Sequence, residues 1–93
     1  IHFVMRSVAA IFFPGGFGTL DELFELLTLR QTGMKREIPI ILFGRKYWNN
    51  LINFGFLADF GLISEEDLKI FQYADTASEA WEIIECNKLS KKN

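Results

Sequence analysis

The sequence predicts an α/β fold in which a parallel sheet is covered by helices on both faces. Three observations carry that prediction. Two continuous apolar runs, residues 8–13 (VAAIFF) and 38–43 (IPIILF), are closed by Pro14 and Gly44, as strands buried on both faces are. Each run is followed by a stretch whose apolar residues recur at three- and four-residue steps. Between the first run and its helix lies PGGFGTLDE, residues 14–22, a glycine-rich turn leading into a helix N-terminus.

Taken in order, residues 1–7 (IHFVMRS) have no clear period and read as the end of a helix packing on the sheet, with Arg6 near its C-terminus. Residues 8–13 are the first strand. Residues 19–32 read as a helix, with Leu20, Leu23, Phe24, Leu27 and the aliphatic stem of Arg30 along one stripe that Leu26 and Leu29 widen. Asp21, Glu22 and Glu25 lie early and Arg30 late, as the macrodipole favours. Gly33 is the stop. After a polar connection, residues 38–43 form the second strand, where Pro39 is tolerable because it stands near the start. Residues 47–60 are mostly helical in pattern, with Trp48, Leu51, Ile52, Phe54, Phe56 and Leu57 apolar and Gly55 counting against a single unbroken helix. Gly61 and Ser64 bracket a turn, and Ser64 caps a short helix with an acidic first turn. Residues 70–74 (IFQYA) make a third strand, shorter and more polar and so nearer an edge. Asp75 or Thr76 caps the last helix, where Thr76 and Glu79 have capping-box spacing. Ala80, Trp81, Ile83 and Ile84 are its expected buried face. Residues 1–86 thus form one domain part and residues 87–93 a polar tail that frays.

Right-handed crossovers would make the sheet parallel. Ligands of such sheets bind outside the carboxyl ends of the strands. Residues 14–19 leave that end of the first strand, which marks the loop as the expected site.

Bulk properties narrow the function classes. Ninety-three residues make one small domain, and 49% hydrophobic residues with ten Phe are core-forming. A formal charge of −2 gives no reason to expect nucleic acid or an anionic membrane as partner. No apolar run approaches the ~20 residues of a membrane span. The lone Cys86 cannot form an intrachain disulfide, which points to a reducing, cytoplasmic setting.

Gly15, Gly16 and Gly18 are either turn glycines or a phosphate cradle. Three glycines in four residues exceed what one strand-to-helix turn needs, and the following helix supplies N–H groups and a favourable dipole. The spacing is neither that of a Walker loop nor that of the dinucleotide fingerprint. Thr19 reads as an N-cap whose hydroxyl is also able to donate to a phosphate oxygen. Glu22, three residues on, is by local rules the acidic member of a capping box. Alternatively it is a carboxylate at the lip of an anion pocket, suited to acid–base work or to stabilising an oxocarbenium-like transition state. Asp21 and Glu25 read as solvated. His2, Arg6, Arg45, Lys46 and Cys86 have no sequence context that makes them catalytic, and Trp48 and Trp81 fit helix anchors. No His, Cys or carboxylate spacing suggests a metal, and no cofactor is implied.

PGGFGTLDE matches the PGGxGTxxE signature, and the chain resembles the Lonely guy family of cytokinin-activating enzymes, whose bacterial members were long described as possible lysine decarboxylases. LFELLTLRQTG, IPIILFG, YWNNLINF and GLISEEDL extend the likeness toward the larger bacterial branch, over residues 3–84. The resemblance implies a Rossmann-like three-layer sandwich, a homodimer, and phosphoribohydrolase activity on AMP-like nucleoside 5′-monophosphates. By position it implies that Gly15, Gly16, Gly18 and Thr19 hold the phosphate and that Glu22 is the catalytic carboxylate. The decarboxylase description fits poorly, since no lysine has a context suggesting a pyridoxal Schiff base.

The family also uses an arginine of an Arg-Lys pair on the helix before the motif strand. Aligned back from Pro14, that pair falls before Ile1, and Arg6 comes about two turns too late. The expectation is therefore that these residues are the C-terminal half of the fold, inactive and marginally stable by themselves. Two other readings share the loop: a module that holds a nucleotide without hydrolysing it, and a structural or dimerisation unit.

Overall fold

A computed structural model describes residues 2–5, 9–33 and 38–91. Four strands form one sheet in the order β1 (His2–Met5), β2 (Ala9–Phe12), β3 (Ile40–Phe43) and β4 (Phe71–Ala74). β2, β3 and β4 are parallel, with Ala10 opposite Ile40 and Ile40 opposite Phe71. The α/β sheet expected from the two apolar runs is thus present, and β4 lies at its edge. β1 pairs antiparallel with β2, His2 facing Phe12 and Met5 facing Ala9. This corrects the helix end expected at the start of the chain. The pairing satisfies the backbone groups along the other side of β2, which would otherwise be an open edge.

The period-2 alternation of each strand divides the core into two layers. On one face Ala10, Phe12, Ile40, Leu42 and Phe71 pack against Leu23, Trp48 and Phe54. Those three belong to α1 (Phe17–Gln31), α2 (Arg45–Leu51) and α3 (Phe54–Asp59). On the other face Ala9, Ile41 and Ala74 meet Ala80 and Ile84 of α4 (Ala77–Lys91). Small residues at 9, 74 and 80 let α4 lie close to the sheet. Trp48 is fully buried and its Nε1–H donates to the Phe43 carbonyl at 3.1 Å. The largest side chain of the core is thereby tied to the end of β3, with its one polar atom satisfied.

Several helix ends differ from expectation, each for a local reason. α1 begins at Phe17 with Gly16 as N-cap, and its first rung is Leu20 N–H to the Gly16 carbonyl. Thr19 is therefore the third helical residue and not the cap. The residue is 5% exposed. Asp21 and Glu22 accordingly stand in the second turn, and the first turn has no acidic residue. The stretch is indeed not one helix, and the break between α2 and α3 falls at Ile52 and Asn53. Asn53 Oδ1 accepts the Phe56 N–H at 3.1 Å, and this cap starts a new helix that takes Gly55 into its first turn. α3 ends in a Schellman turn: Gly61, at φ +78°, donates to Ala58 and Leu62 donates to Leu57.

Ser64 and Asp67 cap each other reciprocally, at 3.2 and 3.0 Å, but the helix they start is a 3₁₀ turn, Glu66–Lys69. Thr76 caps α4 by accepting the Glu79 N–H at 3.1 Å. Glu79 reaches back to the N–H of Asp75 at 2.7 Å, one residue before the cap. Trp81, expected in the core, is 54% exposed. Ala80 and Ile84 are four positions apart, so those two share the sheet-facing side of α4, while position 81 is turned about 100° away. The backbone of α4 continues as helix through Lys91, beyond the point where fraying was expected.

Candidate functional site

Three loops meet where the parallel strands end. Pro14–Gly16 leaves β2, Gly44 leaves β3, and Asp75 and Thr76 leave β4. The chain holds them to one another by contacts between residues about thirty positions apart. The Tyr47 hydroxyl donates to the Gly15 carbonyl. Gly44 donates its N–H to the Ala74 carbonyl at 2.8 Å. Asp75 accepts the backbone N–H of Arg45 at 2.7 Å and its Nη1–H at 2.6 Å. The Arg45 guanidinium also reaches the Tyr73 carbonyl at 3.5 Å and lies 6.0 Å from the centre of the Tyr73 ring. Burial lifts the Tyr73 phenol above its ordinary value of 10.0, and the nearby Arg45 charge opposes that rise.

The glycine loop forms the outer lip of this platform. None of Gly15, Gly16 and Gly18 has a positive φ. A Cβ built on Gly16 or on Gly18 meets nothing within 4 Å among the described residues. Neither backbone conformation nor packing therefore demands glycine at 16 or 18. Gly18 lies inside a helix, where glycine is less favourable than alanine by roughly 0.5–1 kcal/mol. What the two glycines do supply is bare backbone at the start of a fifteen-residue helix. Gly16 has no side chain with which to cap, and the amides of Phe17 and Gly18 precede the first rung of the ladder. Amides so placed, at the positive end of the helix dipole, suit an anion.

Glu22 lies four residues after Gly18 and is exposed, as are Asp21 and Glu25. Helical side chains lean toward the N-terminus. Glu22 is thereby carried over the Gly18 backbone, on the same side of α1. The structure thus brings together every residue singled out for the site: Gly15, Gly16 and Gly18 on the lip, Thr19 beneath it and Glu22 one turn along. Phe17 projects from the same lip and is 91% exposed. Cys86 is not part of it. That residue is exposed on α4 and borders a concavity of about 470 Å³ with Gln72, Glu79 and Glu82. Arg6 and the His2 side chain lie outside the described residues. Among the described residues, no group of three or more His, Cys, Asp or Glu is arranged to hold a metal. Among the described residues no helix is long and apolar enough to cross a membrane.

Sequence reasoning missed Tyr47, Arg45 and Asp75 as members of this platform. Arg45 and Lys46 looked like scattered surface charge. The available signal was topological: in a parallel sheet, residues just after successive strands share one end of the sheet, however far apart they lie in the chain.

The family described as possible lysine decarboxylase matches residues 1–84. A probable cytokinin riboside 5′-monophosphate phosphoribohydrolase of Oryza sativa subsp. japonica is 37% identical over 81 residues, covering 86% of this chain and 38% of that protein. Two cytokinin riboside 5′-monophosphate phosphoribohydrolases of Arabidopsis thaliana are 40% and 39% identical over 75 residues, each match covering 80% of this chain and 35% of theirs. The chain thus spans little more than a third of the length of the curated relatives it matches.

Proposed function

The chain belongs to the possible lysine decarboxylase family, and we propose that it carries the phosphate cradle and the catalytic carboxylate of a nucleoside 5′-monophosphate phosphoribohydrolase. One observation carries the reading. Gly16 and Gly18 are glycines that the fold does not require, beside a helix N-terminus and under a carboxylate one turn away. The names of the relatives supply the reaction that such a constellation fits.

In this proposal Gly15, Gly16, Gly18 and Thr19 hold the 5′-phosphate, the glycines through backbone N–H groups approached without a Cβ in the way. The anchored phosphate fixes the ribose over α1. Glu22 then faces C1′. Its carboxylate stabilises the positive charge that develops as the bond from C1′ to the base nitrogen breaks, and it takes a proton from the attacking water. The bonding electrons leave with the base, which is protonated in turn, and the water oxygen bonds to C1′. The products are the free base and ribose 5-phosphate. AMP-like nucleotides and cytokinin riboside monophosphates are the proposed substrates. A homodimer fits the exposed Phe24, Phe56 and Phe60 on α1, α3 and the turn after it. A cytoplasmic setting fits the single, free thiol of Cys86.

The test is Glu22→Gln in the whole protein. The amide keeps the shape and removes the charge. Release of adenine from AMP should be abolished while AMP binding stays close to wild type. Unchanged turnover removes Glu22 from the chemistry. AMP binding without any base release in the wild type converts the reading to that of a nucleotide-holding module.

A further inference from the structure

Tyr47 donates its hydroxyl to the carbonyl of Gly15 from the first turn of α2. Its ring meets fully buried Trp48 edge-on, with 5.0 Å between centroids. Trp48 is tied in turn to the Phe43 carbonyl. The hydroxyl is therefore fixed relative to the sheet and not merely to the loop.

No peptide bond among the described residues is cis. In a trans peptide the carbonyl and the following N–H point in opposite directions. A Gly15 carbonyl drawn toward α2 consequently turns the Gly16 N–H away from α2, and a Cβ at Gly16 would meet no described residue within 4 Å. Two adjacent glycines offer little steric resistance to rotation of the peptide plane between them. In the rotated arrangement a carbonyl would replace the N–H, and its dipole would repel an anion.

We infer that Tyr47 is a positioning residue for phosphate binding: its hydroxyl selects the orientation of the Gly15–Gly16 peptide that presents an N–H to the anion. The inference rests on the reading of this loop as the phosphate cradle.

The experiment compares the whole wild-type protein with Tyr47→Phe, which keeps the ring against Trp48 and removes only the hydroxyl. AMP and adenosine are titrated by calorimetry, and adenine release from AMP is followed in parallel. Tyr47→Phe should bind AMP about tenfold more weakly, the size of one lost hydrogen bond to a charged group. Adenosine affinity should not change. KM for AMP should rise with kcat nearly constant. A purely structural tyrosine would weaken both ligands together or neither. As a second readout, the Gly16 amide resonance is followed while inorganic phosphate is added; it should move in the wild type and move less in the variant. An unchanged ratio of AMP to adenosine affinity overturns the inference, and so does a wild type that binds AMP no better than adenosine. Failure of the hydrolase reading looks different, because AMP would then bind more tightly than adenosine with no adenine released, and the affinity ratio would still decide the role of Tyr47.

Discussion

Gly44 lies against the ring of Pro14, so close that a Cβ in place of its hydrogen would stand 3.3 Å from Pro14 Cγ. The two residues follow adjacent parallel strands, and their contact sets the glycine loop against the start of α2. Gly44 is also in the left-handed region, at φ +98°. Gly44→Ala thus meets two penalties, a backbone conformation unfavourable by about 1–2 kcal/mol for an L-residue and a crowded Pro14 ring. Urea denaturation should show a loss of about 2 kcal/mol. AMP affinity should fall as well, because relief of the crowding displaces Pro14 and the loop behind it. A loss below about 0.5 kcal/mol would mean that the turn relaxes freely.

Asp75 acts as an N-cap for α2 from another part of the chain. The cap residue of α2 itself, Gly44, has no side chain, and Asp75 Oδ1 accepts the Arg45 N–H in its place. The ion pair with the guanidinium is about half exposed on both sides, 46% and 47%, and is screened accordingly. Asp75→Asn keeps an acceptor for the backbone and discards the charge, so it should lie within about 0.5 kcal/mol of wild type. Asp75→Ala removes both and should cost about 1 kcal/mol. The difference between the two variants should be nearly independent of salt, since it reports the backbone bond. Melting curves at low and high sodium chloride separate the two contributions.

Gly18→Ala should move stability and function in opposite directions. The position is helical, has a negative φ, and a Cβ there touches nothing among the described residues. Alanine should stabilise the protein by roughly 0.5–1 kcal/mol. The same methyl occupies the ground over which a phosphate would approach, so AMP affinity should fall. Thermal melts with and without AMP read both effects from one sample. A variant that is both more stable and equally tight for AMP would show that position 18 is not part of the cradle.

The strands were legible because VAAIFF and IPIILF are apolar on both sides of the pleat and end in a proline and a glycine. The loop was legible as a position, since strand, glycines and helix follow one another directly. The start of α1 was not. Thr19 and Glu22 have the spacing of a capping box, and local rules stop there. The structure instead uses Gly16 as the cap and places Thr19 inside the helix, 5% exposed. Burial decided between two starts that local propensity scores alike. Gly55 signalled a broken helix but not where it breaks, because Asn53, two residues earlier, has a side chain able to cap. His2–Met5 carried no period because its role is set by its partner, the open side of β2. The links from Tyr47 to Gly15 and from Arg45 to Asp75 span about thirty residues, and no local pattern encodes them.

Gln31 at the end of α1 and Asp67 in the 3₁₀ turn provide a pH-dependent link across the helical face. Gln31 Nε2 donates to Asp67 Oδ2 at 2.7 Å, and the Ser64 N–H donates to the same oxygen at 3.0 Å. The bond from Gln31 is the largest cause, followed by that from Ser64, of a carboxyl held below the ordinary aspartate value of 3.8; desolvation opposes them. The sign follows from linkage. A carboxylate whose folded pKa is depressed stabilises the fold above its unfolded value, and that contribution disappears as pH falls through the depressed value. The link should therefore be intact at neutral pH and lost only in acid below 3.8. Gln31→Ala removes the principal cause and should bring the Asp67 carboxyl back toward 3.8. Carbon-detected NMR titration of Asp67 in the two proteins measures this directly. An Asp67 titration midpoint that does not move in Gln31→Ala would assign the depression to Ser64 alone.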